Sequence, residues 1–343
     1  MTDNIKLFHN ACTPETQREA SAALLHDAPV PSADQQTNKD TKADAPKQNI
    51  SKALLLMTSA GLLVGISSIF FKAFGKELPS LECAFFRGGV GFLVLLTLMA
   101  TGLKKIPFGK RKGLLFLRGF FGSVASMLYV WAFLNMHVGL ANGLNQTSPI
   151  FVCICAAIFL KERLGWWSYA RVFAAFFGMT LIVSPDFSTI NSTALVAILS
   201  AIISAFAYTI IKKLQSTEQS DTIVLWFLGL STILPLLTVP LACVIPLPFA
   251  PWHMPQTTDL LGLLAGGISS LFSQQLMTRA YRYAPATIVA PFIYISTIST
   301  LIIAYFLWDE APTLTSLLGC GIIISCAIGI GALPKTRRAP NHR

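Results

Sequence analysis

The stretch AFLNMHVGLANGLNQTSPIFVCICAAIFLKE, residues 132–162, lies over AYRYAPATIVAPFIYISTISTLIIAYFLWDE, residues 280–310, without a gap. The offset is a constant 148 positions, and both copies end in a carboxylate, Glu162 and Glu310. Identities are sparse: Ala132/Ala280, Ser148/Ser296, Ile150/Ile298, Ile154/Ile302, Ala156/Ala304 and Glu162/Glu310. The shared order of apolar run and terminal acid outweighs their number. It marks two related halves, each a set of apolar helices, and internal repeats of this kind are a transporter signature.

Composition agrees. The chain is 53% hydrophobic and 12% charged, against about 25% charged in soluble domains. Ala53–Phe71 and Thr193–Ile211 each run 19 residues without a charge, enough to cross roughly 30 Å of hydrocarbon. Ten such segments are read, near 53–73, 82–102, 113–134, 138–160, 165–184, 193–212, 222–245, 259–280, 284–307 and 312–333. Nothing alternates at period two as a membrane barrel strand would. The expected fold is an all-α polytopic membrane protein of ten transmembrane helices.

Residues 1–52 are of another kind, rich in Asp, Ala, Gln, Thr and Pro, and read as a disordered cytoplasmic tail. No charged n-region with an apolar h-region opens the chain, so no signal peptide is expected. Six of the seven cysteines lie in apolar segments and Cys12 in the tail, without a C-x-x-C pair. Buried Cys behaves as a small apolar side chain, so no disulfide, metal or other cofactor is assigned.

The positive charge has a membrane explanation rather than a nucleic-acid one. With the N-terminal tail inside, sixteen Lys/Arg fall on the inner side, including Lys104, Lys105, Lys110, Arg111, Lys112, Lys161, Arg163, Lys212, Lys213, Arg279 and Arg282. The opposite loops hold Lys72 and Lys76 with Asp186, Asp259, Asp309 and Glu310. The positive-inside rule then puts both termini in the cytoplasm of a multi-pass inner (plasma) membrane protein. Five helices per half is odd, so the halves must be inverted. The related loops agree, basic after the fourth segment (Lys161, Arg163) and acidic after the ninth (Asp309, Glu310). Residues 53–185 and 190–333 are the expected inverted repeats, and 334–343 a basic cytoplasmic tail. A substrate site is expected between them near mid-membrane.

LANGLNQTSPIFVCICAAIFLKERLGWW (140–167), followed by GMTLIVSP (178–185), resembles the EamA family of the drug/metabolite transporter superfamily. APATIVAPF (284–292), FLWDEAPT (306–313) and the Gly-rich final helix look like a second copy, although Trp308 and Asp309 depart from the family pattern. The resemblance implies ten helices, cytoplasmic termini and alternating access around a central cavity. It also implies secondary transport of small organic metabolites, often export of amino acid-like compounds. Uptake or exchange of larger metabolites such as S-adenosylmethionine or riboflavin is the alternative.

Several residues are candidates for the cavity. Arg87 lies about two turns into the second segment, where an arginine costs at least about 2.5–3.5 kcal/mol on insertion scales. The structural reading pairs it with Glu82 or Glu77. Arg118 and Arg171, nearer the cytoplasmic ends, read as snorkelling side chains. The fourth segment carries Asn142, Asn145, Gln146 and Ser148, with Asn142, Gln146 and Pro149 on one helical face. Ser270, Ser273, Gln274 and Met277 make a stripe on the eighth, while Tyr294 shares a face with Thr297, and Ser296 is the repeat partner of Ser148. Tyr129 and Tyr208 add aromatic surface. Amides donate and accept without fixed charge, which suits a polar or zwitterionic substrate; interhelical hydrogen bonding is the structural alternative. Glu162 and Glu310 are candidates for gating or for a proton as coupling ion, or else are interfacial carboxylates pairing with loop cations. Glycines at 61/65, 88/89/91, 119/122 and 319/321 read as close-packing faces.

No H-E-x-x-H, G-x-S-x-G or Walker motif is present, so neither an enzyme nor an ATPase is expected. The expected partners are a small-molecule substrate and the lipid bilayer.

Overall fold

The computed structural model describes residues 49–75, 78–135, 144–162, 166–183, 192–244, 252, 255–308 and 313–331, and its regular elements are all helical. They are α1 (Ile50–Phe74), α2 (Ser80–Ala100), α3 (Lys112–Asn135), α4 (Ser148–Phe159), α5 (Trp166–Val183), α6 (Ser192–Leu214), α7 (Ser220–Val244) and α8 (Thr257–Tyr283). A single turn, Ala286–Val289, then tightens into a 3₁₀ segment, Ala290–Tyr294, before α9 (Ile295–Trp308) and α10 (Leu314–Gly331). Seven runs are long and apolar enough to cross a membrane: α1, α2, α3, α6, α7, α8 and the run Ala286–Leu307. The others, α4, α5 and α10, contribute shorter apolar stretches.

Local chemistry sets several ends. Asn49 Oδ1 accepts the Lys52 N–H at 3.0 Å and caps α1. Lys212 and Lys213 close α6, and Asp221 opens α7, each complementing the helix dipole. Leu93, Phe173, Leu237, Phe306 and Leu318 are more than half exposed, as a lipid-facing surface requires.

The packing pairs follow a pattern. The most extensive seams are α1 with α8, α3 with α6 and α5 with α10; α2 packs on α7. The α3–α7 contact is accompanied by α2–α8, and α1–α9 by α4–α6. Exchanging each helix for the one five places along maps every one of these pairs onto itself or onto another of them. Small residues make the seams possible: a methyl at Gly65 would overlap Ser299 Oγ, and one at Gly178 would sit 2.8 Å from the Gly319 carbonyl oxygen. Gly321, expected on a packing face, meets nothing within 4 Å.

One expectation is corrected. The fourth segment is not one continuous helix, because the backbone turns at Gln146–Thr147 before α4 begins. Pro149 has no N–H to reach the Asn145 carbonyl, and Thr147 Oγ1 donates instead to the Leu144 carbonyl at 2.7 Å. The supposed Asn142–Gln146–Pro149 face therefore crosses a break, and Asn142 lies outside the described residues. Gln146–Thr147 correspond to Tyr294–Ile295 in the repeat, where the 3₁₀ segment meets α9. Pro291 frees the Thr287 carbonyl there, which lies 3.8 Å from the donating Cys153 Sγ. The chain thus departs from regular α-helix at 146–147 and again at 290–294, positions that the aligned stretches bring close together.

Candidate functional site

The two breaks face each other. Gln146 Nε2 donates to Ser296 Oγ at 2.7 Å and to Thr297 Oγ1 at 3.1 Å, joining the turn before α4 to the first turn of α9. Asn145 Nδ2 donates to Ser200 Oγ on α6 at 2.7 Å. Beside these contacts lies a cavity of about 300 Å³ with walls from both halves.

Its polar wall includes Asn145, Gln146, Ser148, Ser296 and Thr297, with Gln274 and Met277 from α8. Tyr129 and Tyr208 add aromatic surface, and Tyr208 stacks on Tyr281 with centroids 6.2 Å apart. Lys72, Arg87 and Arg118 reach the same space, and no Asp or Glu is among its described walls. Arg87 Cζ lies 5.8 Å from the Tyr129 ring centroid. Among the described residues no carboxylate comes within ion-pair distance of it. Glu77, a possible partner, lies outside them.

Arg118 is the residue that sequence reading misplaced. It is 2% exposed and sits on the cavity wall instead of snorkelling to the interface. Its Cζ stacks 4.4 Å from the Phe227 ring centroid on α7, and Nη2 makes a long contact of 3.5 Å with Gln274 Oε1. Nε and Nη1 meet no acceptor among the described protein atoms. Gly122, one turn further on, supplies the space, since a methyl there would overlap Nη1. An Arg with a glycine four residues later was the one visible signal.

Other candidates divide. Tyr294 is fully buried but packs against Ala175, Met179 and Ile323, away from the cavity. It closes the 3₁₀ segment, and these neighbours belong to α5 (Ala175, Met179) and α10 (Ile323). On α8, Ser273 Oγ donates to the Ala60 carbonyl of α1 at 3.0 Å, so the serine side of that stripe is a packing contact. Glu310 lies outside the described residues.

Glu162 has a defined structural task. Lys161 takes a left-handed conformation (φ 54°) that ends α4, and the Glu162 N–H returns to the Ala156 carbonyl at 3.2 Å. The carboxylate thereby reaches the other half. It accepts the Ala286 N–H at 3.0 Å, the Thr287 N–H at 3.2 Å and the Thr287 hydroxyl at 2.9 Å, capping the turn that leads into α9. Lys212 holds the preceding residues, donating to the Tyr281 and Ala284 carbonyls at 2.9 and 2.7 Å. Glu162→Ala should lower thermal stability in detergent by about 1–2 kcal/mol, the usual cost of losing a cap. An unchanged melting temperature would show that the clamp contributes nothing.

More polar contacts gather at this end of the bundle. Asp221 takes Lys104 at 3.0 Å and Arg279 at 3.3 Å. Glu218 Oε1 accepts the Lys110 and Arg111 N–H groups, both at 2.7 Å. These contacts tie the loop before α3, the start of α7 and the ends of α2 and α8 together.

Comparison with known proteins agrees with this geometry. The model of the EamA-like transporter family matches residues 51–184 and again 191–332. The chain is 29% identical over 296 residues to the pseudopaline exporter of Pseudomonas aeruginosa strain UCBPP-PA14, covering 84% of this chain and 98% of that protein. It is 27% identical to a riboflavin transporter of Vibrio cholerae (81% and 92% covered). It is also 27% identical to an S-adenosylmethionine uptake transporter of Rickettsia prowazekii (84% and 94% covered). A solved crystal structure superposes with a TM-score of 0.66 at 16% identity, over 83% of this chain and 98% of that one. Two successive family matches over a helical bundle with broken, facing helices leave one assignment: this multi-pass membrane protein belongs to the EamA-like transporter family.

Proposed function

We propose that the chain carries a small organic metabolite across the inner membrane by alternating access, with the cavity between its halves as the substrate site. The meeting of the two breaks at Gln146, Ser296 and Thr297 carries this reading. Discontinuous helices at a repeat interface free polar backbone and side chains only beside protein or a water-filled cavity. Ten membrane-spanning helices in two inverted repeats, 53–185 and 190–333, are supported by the packing pairs and the double family match. Both termini are cytoplasmic by the positive-inside rule, which makes the clamped end around Glu162, Lys212 and Asp221 the cytoplasmic one. Rocking of the halves would then require Glu162 to leave Ala286 and Thr287.

Export is the favoured direction, in line with the similarity to a pseudopaline exporter. Uptake or exchange of a larger metabolite is the second reading, supported by the relatives named for riboflavin and S-adenosylmethionine. Proteoliposomes holding only this protein should show saturable flux of its substrate. Asn145→Ala, Gln146→Ala and Gln274→Ala should each reduce that flux about 5–10-fold, as expected for one lost hydrogen bond at about 1 kcal/mol or slightly more. Normal flux in all three would remove the cavity from the transport path. Flux indifferent to an imposed pH gradient would exclude a proton as coupling ion.

A further inference from the structure

Several basic side chains of this bundle have partners. Lys212 donates to two carbonyls, while Lys104 and Arg279 share Asp221. Arg118 is the most buried of them: it is 2% exposed and lines the cavity, and two of its three nitrogens lack an acceptor among the described protein atoms, as does Nη1 of Arg171. Phe227 covers one face of the group but cannot accept its in-plane N–H bonds. Arg87 contributes a second guanidinium to the same walls, held by the Tyr129 ring. With Lys72 they make three like charges around a cavity that has no acid on its described walls, and an anion entering it would be attracted by all three. A guanidinium presents a planar fork of donors that carboxylate and phosphate oxygens fill two at a time.

We propose that the carried compound is an organic anion with at least two oxyanion groups, one received by Arg118 and the other by Arg87. This rests on reading the cavity as the transport site and gives that reading a substrate class. The hydroxyls of Ser296 and Thr297 and the amides of Asn145 and Gln146 then border the uncharged middle of the compound. A sulfonium such as that of S-adenosylmethionine enters against the field of both arginines.

The test compares metabolites inside and outside cells that express the parent chain, Arg118→Gln, Arg87→Gln, Arg118→Lys or an empty vector. Folding of each variant is checked by size-exclusion chromatography in detergent. Compounds that redistribute with the parent chain should be multiply charged anions at neutral pH. Both glutamine variants should give the vector profile, and Arg118→Lys should restore part of the effect. Carboxylated and phosphorylated compounds separate by mass, so the same profile tells which oxyanion is carried. Redistribution of neutral or cationic compounds, or full activity in folded Arg118→Gln, overturns the assignment while leaving transport intact. An identical profile for parent and vector overturns the transport reading and the charge assignment with it.

Discussion

An Arg118→Met carrier should melt at a higher temperature than the parent in the absence of added substrate, yet transport nothing measurable. The two effects share a cause. Nε and Nη1 of Arg118 are buried without acceptors, and each unsatisfied buried donor costs about 1–3 kcal/mol. Methionine keeps the unbranched stem against Phe227 and removes the charge, so a gain of about 1–3 kcal/mol is expected. Binding suffers in the opposite sense. A charged hydrogen bond is worth about 1.5–3 kcal/mol, or roughly 10–150-fold in affinity. Melting curves in detergent and flux in proteoliposomes read the two arms separately. A variant that is less stable and inactive would make Arg118 a structural residue; one that is more stable and active would leave it without a role.

Gly88→Val should eliminate folded protein. The α2–α7 seam passes through Gly88, where even a methyl would lie 2.6 Å from Ser231 Cβ and 3.0 Å from the Ser231 backbone carbon. Backbone cannot rotate away as a side-chain tip can, so the helices must separate. Overpacking of this kind costs about 1–3 kcal/mol in cores that can adjust, and more where they cannot. Separation would also disturb Ser123, whose Oγ lies 3.0 Å from Ser231 Oγ. Gly321→Ala is the control, because a methyl there meets nothing within 4 Å. Size-exclusion profiles of tagged protein should show aggregate for Gly88→Val and a parental peak for Gly321→Ala. Equal profiles would mean that the seam is looser than these distances indicate.

The linear chain carried a good deal of this. Constant-offset similarity between residues 132–162 and 280–310, uncharged runs long enough for a bilayer and one-sided basic loops are properties of order and spacing. They therefore set the membrane class, the repeat and the family without any coordinates. That Arg87, Asn145, Gln146, Ser148, Gln274 and Ser296 lie on the cavity wall was legible for a related reason. A polar group inside an apolar helix is costly unless it faces protein or water, so its presence alone points inward.

Tertiary structure decided what depends on neighbours distant in sequence. Arg118 lies near a helix end, where a snorkelling side chain is the ordinary expectation. Only the placement of Phe227 and Gln274 around it makes Arg118 part of the cavity wall. Tyr294 is drawn into the packing of Ala175, Met179 and Ile323, neighbours that lie on α5 and α10 and that a count along its own helix cannot register. Glu162 showed in the sequence as an acid at a helix end, but its partners, Ala286 and Thr287, lie 124 and 125 positions away. Helical periodicity fixes direction within one element, whereas the partner across a seam is set by how separate helices pack.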